Sequence, residues 1–272
     1  MRSSNPMLNA GAFEGAGRFG NFEVGARADV MTIQGAVNAS MVLMGVCIAT
    51  AVAVWSFLQP AAGQASALLY PVFLGGAVAG LVLTMVCYFK PTLAPYLGWL
   101  VAIAEGCIAG GASVFWTMYV ERSAAARAGG GVASALGTGL VLQATLLTAG
   151  IAVSLLIAYK TRLIRATENF KLGVFAATGG LVLVTIGSLV LSMFGVRVPY
   201  IWDSGPIGIA FAGFVVVLAA LNLVLDFDFI EQGAQNQLPR HMEWYAAIGL
   251  LVTLVWLYIS ILRLLAKLQD RR

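Results

Sequence analysis

Residues 244–265, "WYAAIGLLVTLVWLYISILRLL", hold one charged side chain, Arg263, in a run of 22. A hydrocarbon core about 30 Å thick takes roughly 20 apolar residues of helix, so this run is long enough to cross a bilayer. Six further runs qualify, at about 32–58, 69–89, 93–119, 132–159, 173–195 and 205–228, and the last extends over 243–267. Of 272 residues, 60% are hydrophobic and 10% charged, whereas a soluble domain carries about a quarter charged residues. Such a chain cannot cover a water-facing surface. Inside lipid every backbone polar group needs an internal partner, which leaves helices or a closed barrel. Barrel strands alternate polar and apolar residues. These runs are unbroken, so the predicted fold is an all-α membrane protein of seven transmembrane helices.

The breaks between runs have local causes. Gln59-Pro60 ends the first run and Lys90-Pro91 separates the second from the third, because proline lacks the N–H that continues a helix. "AGGGV" at 128–132 reads as a flexible link. "YKTRLIRATENFK" at 159–171 carries too many charges for lipid and reads as a loop or interfacial helix. "VPYIW" at 198–202 sets aromatics beside a turn, as at a headgroup belt. The expected organisation is a flexible tail over 1–30, the helical domain over 31–267 and a short basic tail over 268–272. No apolar core sits close enough to Met1 for a cleaved signal peptide, and no internal repeat suggests an inverted-repeat transporter.

With the N-terminus in the cytoplasm, the inner segments hold nine basic residues: Arg2, Arg18, Arg27, Lys90, Lys160, Arg162, Arg165, Lys171 and Arg240. The outer loops hold three: Arg122, Arg127 and Arg197. This asymmetry favours a cytoplasmic N-terminus. Arg263, Lys267, Arg271 and Arg272 oppose it, since seven crossings put them outside; a re-entrant last segment would return them. The net charge of +4 therefore reads as membrane topology and not as nucleic-acid binding. The expected location is a bacterial cytoplasmic membrane.

Ionisable groups within membrane helices are costly and point to function or to a buried partner. Glu105 sits mid-span in "LVAIAEGCIAGGASVFW"; Asp226 and Asp228 end the sixth run in "LNLVLDFDFIEQ"; Glu243 opens the seventh. Two residues apart, Asp226 and Asp228 cannot share a helix face. Asn222, one turn before Asp226, shares its face, so Asp226 is expected inward and Asp228 nearer the loop. The loop acids Asp228 and Glu231 read as solvated, or paired with Arg240. In the seventh run Ala246, Gly249, Thr253, Trp256, Ser260, Arg263 and Lys267 follow three-four spacing and form a small, polar stripe. Its opposite face is rich in leucine, and polar groups face protein, so this helix is expected to be enclosed. Gly106, Gly110 and Gly249 are the expected close-packing positions, with Gly76 and Gly80.

Carboxylates in low dielectric can bind a cation or form a proton-dependent latch. Asp226 and Glu105 are the candidate calcium ligands, although calcium wants six to eight oxygens. Catalysis is not expected: the one histidine, His241, lies in a loop, and no nucleophile elbow or phosphate-cradling glycine motif occurs. Cys47, Cys87 and Cys107 lie inside runs without metal-ligand spacing and read as free thiols.

Four segments carry a family likeness: "SNPMLNAGAF" at 4–13, "AEGCIAGGAS" at 104–113, "IRATENFKLGVFAATGG" at 164–180 and the run from Leu225 to Leu265. Together they resemble the Bax inhibitor family, in its bacterial YccA-like branch of transmembrane Bax-inhibitor-motif proteins. The resemblance implies a last helix surrounded by the other six and, in some members, a pH-sensitive calcium leak. Those members use an aspartate on each of the last two helices as a proton-sensitive latch. Asp226 matches the first, but Thr253 stands where the second would be, and threonine cannot ionise. Two readings follow: a cation leak with an altered latch along Glu105, Asp226 and the polar face of the last helix, with calcium as the permeant ion and no cofactor; or a non-transporting regulator that binds a membrane protease or other membrane proteins.

Overall fold

The computed structural model describes residues 30–58, 67–128, 134–164, 166–195 and 205–271. Most of the expected N-terminal tail, the link beyond residue 128 and the "VPYIW" turn lie outside the described residues. Seven helices there are long and apolar enough to cross a membrane. They are α1 (Ile33–Leu58), α2 (Leu69–Phe89), α3 (Ala94–Ala128), α4 (Ser134–Lys160), α5 (Glu168–Met193), α6 (Pro206–Gln235) and α7 (Met242–Asp270). A 3-10 turn, Pro91–Leu93, joins α2 to α3. Among the described residues, extended pairing is confined to one bridge, Val30 with Pro239.

The last helix is the axis of the bundle. α7 packs directly on α1, α3, α4 and α6, while α2 lies on α3 and α5 leans on α6. Both of its faces are covered: Ala246, Ser260 and Lys267 of the polar stripe are buried, and so are Leu251 and Leu257 of the leucine face. A helix apolar nearly all round has no face that prefers water, and the small residues among the leucines let neighbours approach from several directions. The outer helices turn large apolar side chains outward, including Phe57, Leu146, Phe175 and Leu183, as a surface in a lipid bilayer requires.

Helix ends depart from the expected spans in three places. α3 runs on to Ala128, α5 begins at Glu168, and α6 continues to Gln235. Thr167 caps α5, its hydroxyl accepting from the Phe170 N–H at 3.4 Å. The charged loop is thus shortened, and "ENFK" belongs to the first turn of a spanning helix. α7 is continuous through Asp270.

Close approach of α3 to its neighbours follows from glycine. A Cβ on Gly106 would lie 2.6 Å from Thr50 Cβ and 2.7 Å from the Cys47 carbonyl oxygen; one on Gly110 would lie 2.7 Å from the Ala51 carbonyl oxygen. On the other side, a Cβ on Gly76 would lie 2.9 Å from Cys107 Cβ. Gly249 behaves differently from its expected packing role. The nearest atom to a Cβ there is Asp226 Oδ1 at 3.8 Å, so this glycine leaves space beside a carboxylate and admits no neighbouring backbone.

Candidate functional site

The carboxylates and their partners are built from the turn end of the bundle inward. α6 reverses into α7 through Gln237, whose φ of 51° is tolerated in a tight turn. Onto this turn the chain before α1 is strapped. Met31 N–H donates to the Leu238 carbonyl at 2.6 Å, and its side chain fills a pocket with Ala36, Ile230 and Ala246. The N-terminus of α1 is thereby set beside the first turn of α7.

Glu243 occupies that junction. It is buried and accepts from both the backbone N–H and the hydroxyl of Thr32, each at 2.9 Å. A Cβ on Gly35 would overlap its carboxylate. The acid thereby completes the cap of α1, in which the Thr32 hydroxyl accepts from the Gly35 N–H at 2.9 Å and the helix dipole favours negative charge. It joins two helices and does not line the cavity around Asp226.

Asp228 and Glu231 are engaged elsewhere. Lys171 Nζ on α5 lies 3.0 Å from Asp228 Oδ2, and Gln232 donates to the same oxygen at 2.6 Å. The Tyr159 hydroxyl on α4 sits between the acids, 2.5 Å from Glu231 Oε2 and 3.3 Å from Asp228 Oδ1. The partner of Asp228 is thus Lys171 and not Arg240, because Asp228 points away from the turn toward α4 and α5. These acids serve a polar seam between α4, α5 and α6.

Asp226 faces the opposite way, as the two-residue spacing requires. It lines a cleft of about 460 Å³ between α2, α6 and α7, together with Thr84, Tyr88, Asn222, Gly249 and Thr253. Nine residues of helix, roughly 13 Å at 1.5 Å per residue, separate Asp226 from the end of α6. Its Oδ2 is sealed from solvent with no hydrogen-bond partner among the described residues, and so is Thr84 Oγ1. Thr253 lies against the carboxylate, but its hydroxyl donates to the Gly249 carbonyl at 3.0 Å. The single proton of that hydroxyl can turn to either acceptor. Asn222 spends its Nδ2 on Thr178 Oγ1 at 2.8 Å and on the Leu218 carbonyl at 2.9 Å.

Glu105 is buried on α3 against α2, its Oε1 3.6 Å from where a Cβ on Gly80 would stand. It does not line the Asp226 cleft. Gly80 precedes Thr84 by one turn on the same face of α2, so Glu105 stands one turn deeper in the bundle than the cleft. Of the expected site residues, the fold brings together Asp226, Asn222, Thr253 and Gly249. It keeps Glu105, Asp228 and Glu243 apart from them. No group of three or more histidine, cysteine, aspartate or glutamate side chains among the described residues could hold a metal ion.

Three participants were missed in the sequence: Thr84, Gly35 and Tyr159. Thr84 carried a weak signal, since a hydroxyl in "GLVLTMVCYF" is isolated among apolar residues. Gly35 and Tyr159 carried none, because their importance comes from partners remote in sequence.

Comparison with known proteins bears on the origin of this arrangement. The search of curated proteins and the search of solved structures each find no match. The family model described as Bax inhibitor 1 like matches residues 5–270, nearly the whole chain and all seven helices. With seven long helices and the last at the axis of the bundle, the chain belongs to the Bax inhibitor 1-like family.

Proposed function

We propose that this integral membrane protein is a proton-sensitive cation leak with Asp226 at its critical point, and not an enzyme. The observation that carries this reading is the unpaired Oδ2 of Asp226 in a cleft beside the central helix. A carboxylate in such surroundings has two ways to be satisfied, by a cation or by a proton. Protonated, it can donate to a lone pair of Thr253 and draw α6 to α7. Ionised, it attracts a cation. Glu105, a turn deeper, is the next acid along the path. The other lining groups with an ionisable proton are Tyr88, Cys87 and Tyr245, and among the described residues no lysine, arginine or histidine lines the cleft. Orientation follows the basic loops: the turn between α6 and α7, and with it the cleft, faces the cytoplasm, in a bacterial cytoplasmic membrane.

The test is cation flux into proteoliposomes of the purified chain across pH 6 to 8. Flux is expected to rise with pH, because the sign of the effect is that of charging Asp226. With one acid at the latch the rise follows a single proton, at most about tenfold per pH unit; two coupled acids would titrate in two macroscopic steps. Asp226→Asn is expected to lose at least nine-tenths of the flux. Equal flux from wild type and this variant, with both verified as folded, overturns the reading.

A second reading, a regulator that binds other membrane proteins such as a membrane protease, draws on α5. Gly173, Gly180 and Gly187 recur every seven residues on this helix, and a Cβ on any of them meets nothing within 4 Å. Glycines on an outer helix are the kind of surface on which a partner helix packs closely. Photo-crosslinkers at Phe175 and Leu183 in cells are expected to capture a discrete membrane protein on this reading; labelling of lipid alone counts against it.

A further inference from the structure

The cleft around Asp226 holds more chemical information than the presence of an acid. We infer that its cognate ion is a monovalent alkali cation, sodium or potassium, and not a divalent one. This rests on the cation-leak reading and narrows its substrate.

Charge is the first argument. The polar side chains lining the cleft are Asp226 and the uncharged Thr84, Cys87, Tyr88, Asn222, Tyr245 and Thr253, so the site supplies one negative charge. Among the described residues no second acid lines the cleft. Glu243 is committed to Thr32 at the end of α1, and Asp228 is paired with Lys171. Glu231 is bonded by Tyr159, and Glu105 does not line the cleft. One charge neutralises a monovalent ion. A calcium or magnesium ion would keep a full uncompensated positive charge inside the bundle, where low dielectric makes that costly.

Ligand chemistry agrees. Asp226 Oδ2 and Thr84 Oγ1 are both sealed and without partners. Thr253 lines the cleft beside the carboxylate and offers a neutral hydroxyl oxygen. Asn222 lines the cleft as well, its Nδ2 engaged by Thr178 and Leu218 and its amide oxygen a further neutral donor. These are hard oxygen donors, mostly neutral, on three helices. Calcium sites draw six to eight oxygens from several carboxylates, and magnesium needs near-ideal octahedral geometry and surrenders water reluctantly. Gly249 keeps the space beside the carboxylate open.

The experiment compares sodium, potassium and calcium entry into proteoliposomes of the full chain at pH 8, each at the same concentration with an ion-specific dye. Wild type is expected to pass one of the alkali cations at least tenfold faster than calcium. Thr253→Asp adds the second charge at the facing position and is expected to move that ratio at least tenfold toward calcium. Sodium-23 line broadening in detergent gives a readout free of transport: broadening by wild type, displaced by potassium but not by equimolar calcium, and lost in Asp226→Asn. Calcium entry equal to or faster than alkali entry in wild type overturns the inference and leaves the leak standing. No entry of any cation through correctly folded protein overturns the leak, and with it the inference.

Discussion

Replacing Gly106 and Gly110 together by alanine is expected to separate α1 from α3 and to lower stability more than any other pair of methyl additions in the bundle. At Gly106 the added methyl meets Thr50 Cβ at 2.6 Å and the Cys47 carbonyl oxygen at 2.7 Å; at Gly110 it meets the Ala51 carbonyl oxygen at 2.7 Å and Val54 Cβ at 2.9 Å. Backbone carbonyls of a spanning helix cannot swing aside as a side-chain tip can. Relief requires translating α1 as a body, which breaks contacts along its length. Overpacking of this kind costs about 1–3 kcal/mol per site. Because one displacement relieves both clashes, the double variant is expected to cost less than the sum of the singles. Detergent-denaturation curves followed by tryptophan fluorescence measure this. Gly75→Ala is the control, since a Cβ there meets nothing within 4 Å, and it is expected to change stability by less than about 0.5 kcal/mol. Equal effects at Gly75 and Gly106 would refute the close-packing account.

Glu243→Ala is expected to have the second largest effect on stability, about 2–3 kcal/mol, from two hydrogen bonds to a buried charged group and the capping of α1. The loss strands the Thr32 N–H and detaches the start of α1 from α7. Gly35→Ala probes the same contact from the other side. The atoms it would displace are the carboxylate of Glu243, the mobile end of a long side chain, so the variant expels the cap without moving backbone. Gly35→Ala and Glu243→Ala are thus expected to destabilise by similar amounts, and the double variant hardly more than either alone. A double-mutant cycle in thermal unfolding reads the coupling directly; additive losses would show that Glu243 and Gly35 act independently. Cation flux through folded Glu243→Ala is expected to stay within about twofold of wild type, because this acid does not line the cleft.

The two acids at the end of α6 show how far local reasoning reaches. That Asp226 and Asp228 face opposite ways follows from the 100° step of a helix, and Asn222 one turn earlier marked the inward face. Which partners await each face depends on other helices, remote in the chain. Asp228 meets Lys171 and Tyr159, neither within reach of any spacing rule. The expected pairing with Arg240 relied on proximity in sequence, whereas an α6 extended to Gln235 carries Asp228 away from the turn and toward α5. Glu243 had the same ambiguity. At the start of a helix it reads equally as a pore acid or a cap, and only the strap from Val30 to Thr32 decides for the cap.

The sequence by itself determined the seven helices, their approximate limits, the need for a lipid bilayer, the enclosed last helix and the inward face of Asp226. These depend on composition, periodicity and the absence of water in hydrocarbon, all of which act locally along the chain. Tertiary structure alone decided that the acids serve four separate places, that Gly249 makes room while Gly106 makes contact, and that Thr84 joins Asp226. Those facts depend on how helices are rotated and paired about α7. The rotation is set by shape complementarity summed over many remote contacts, for which no local stretch of residues carries a signature.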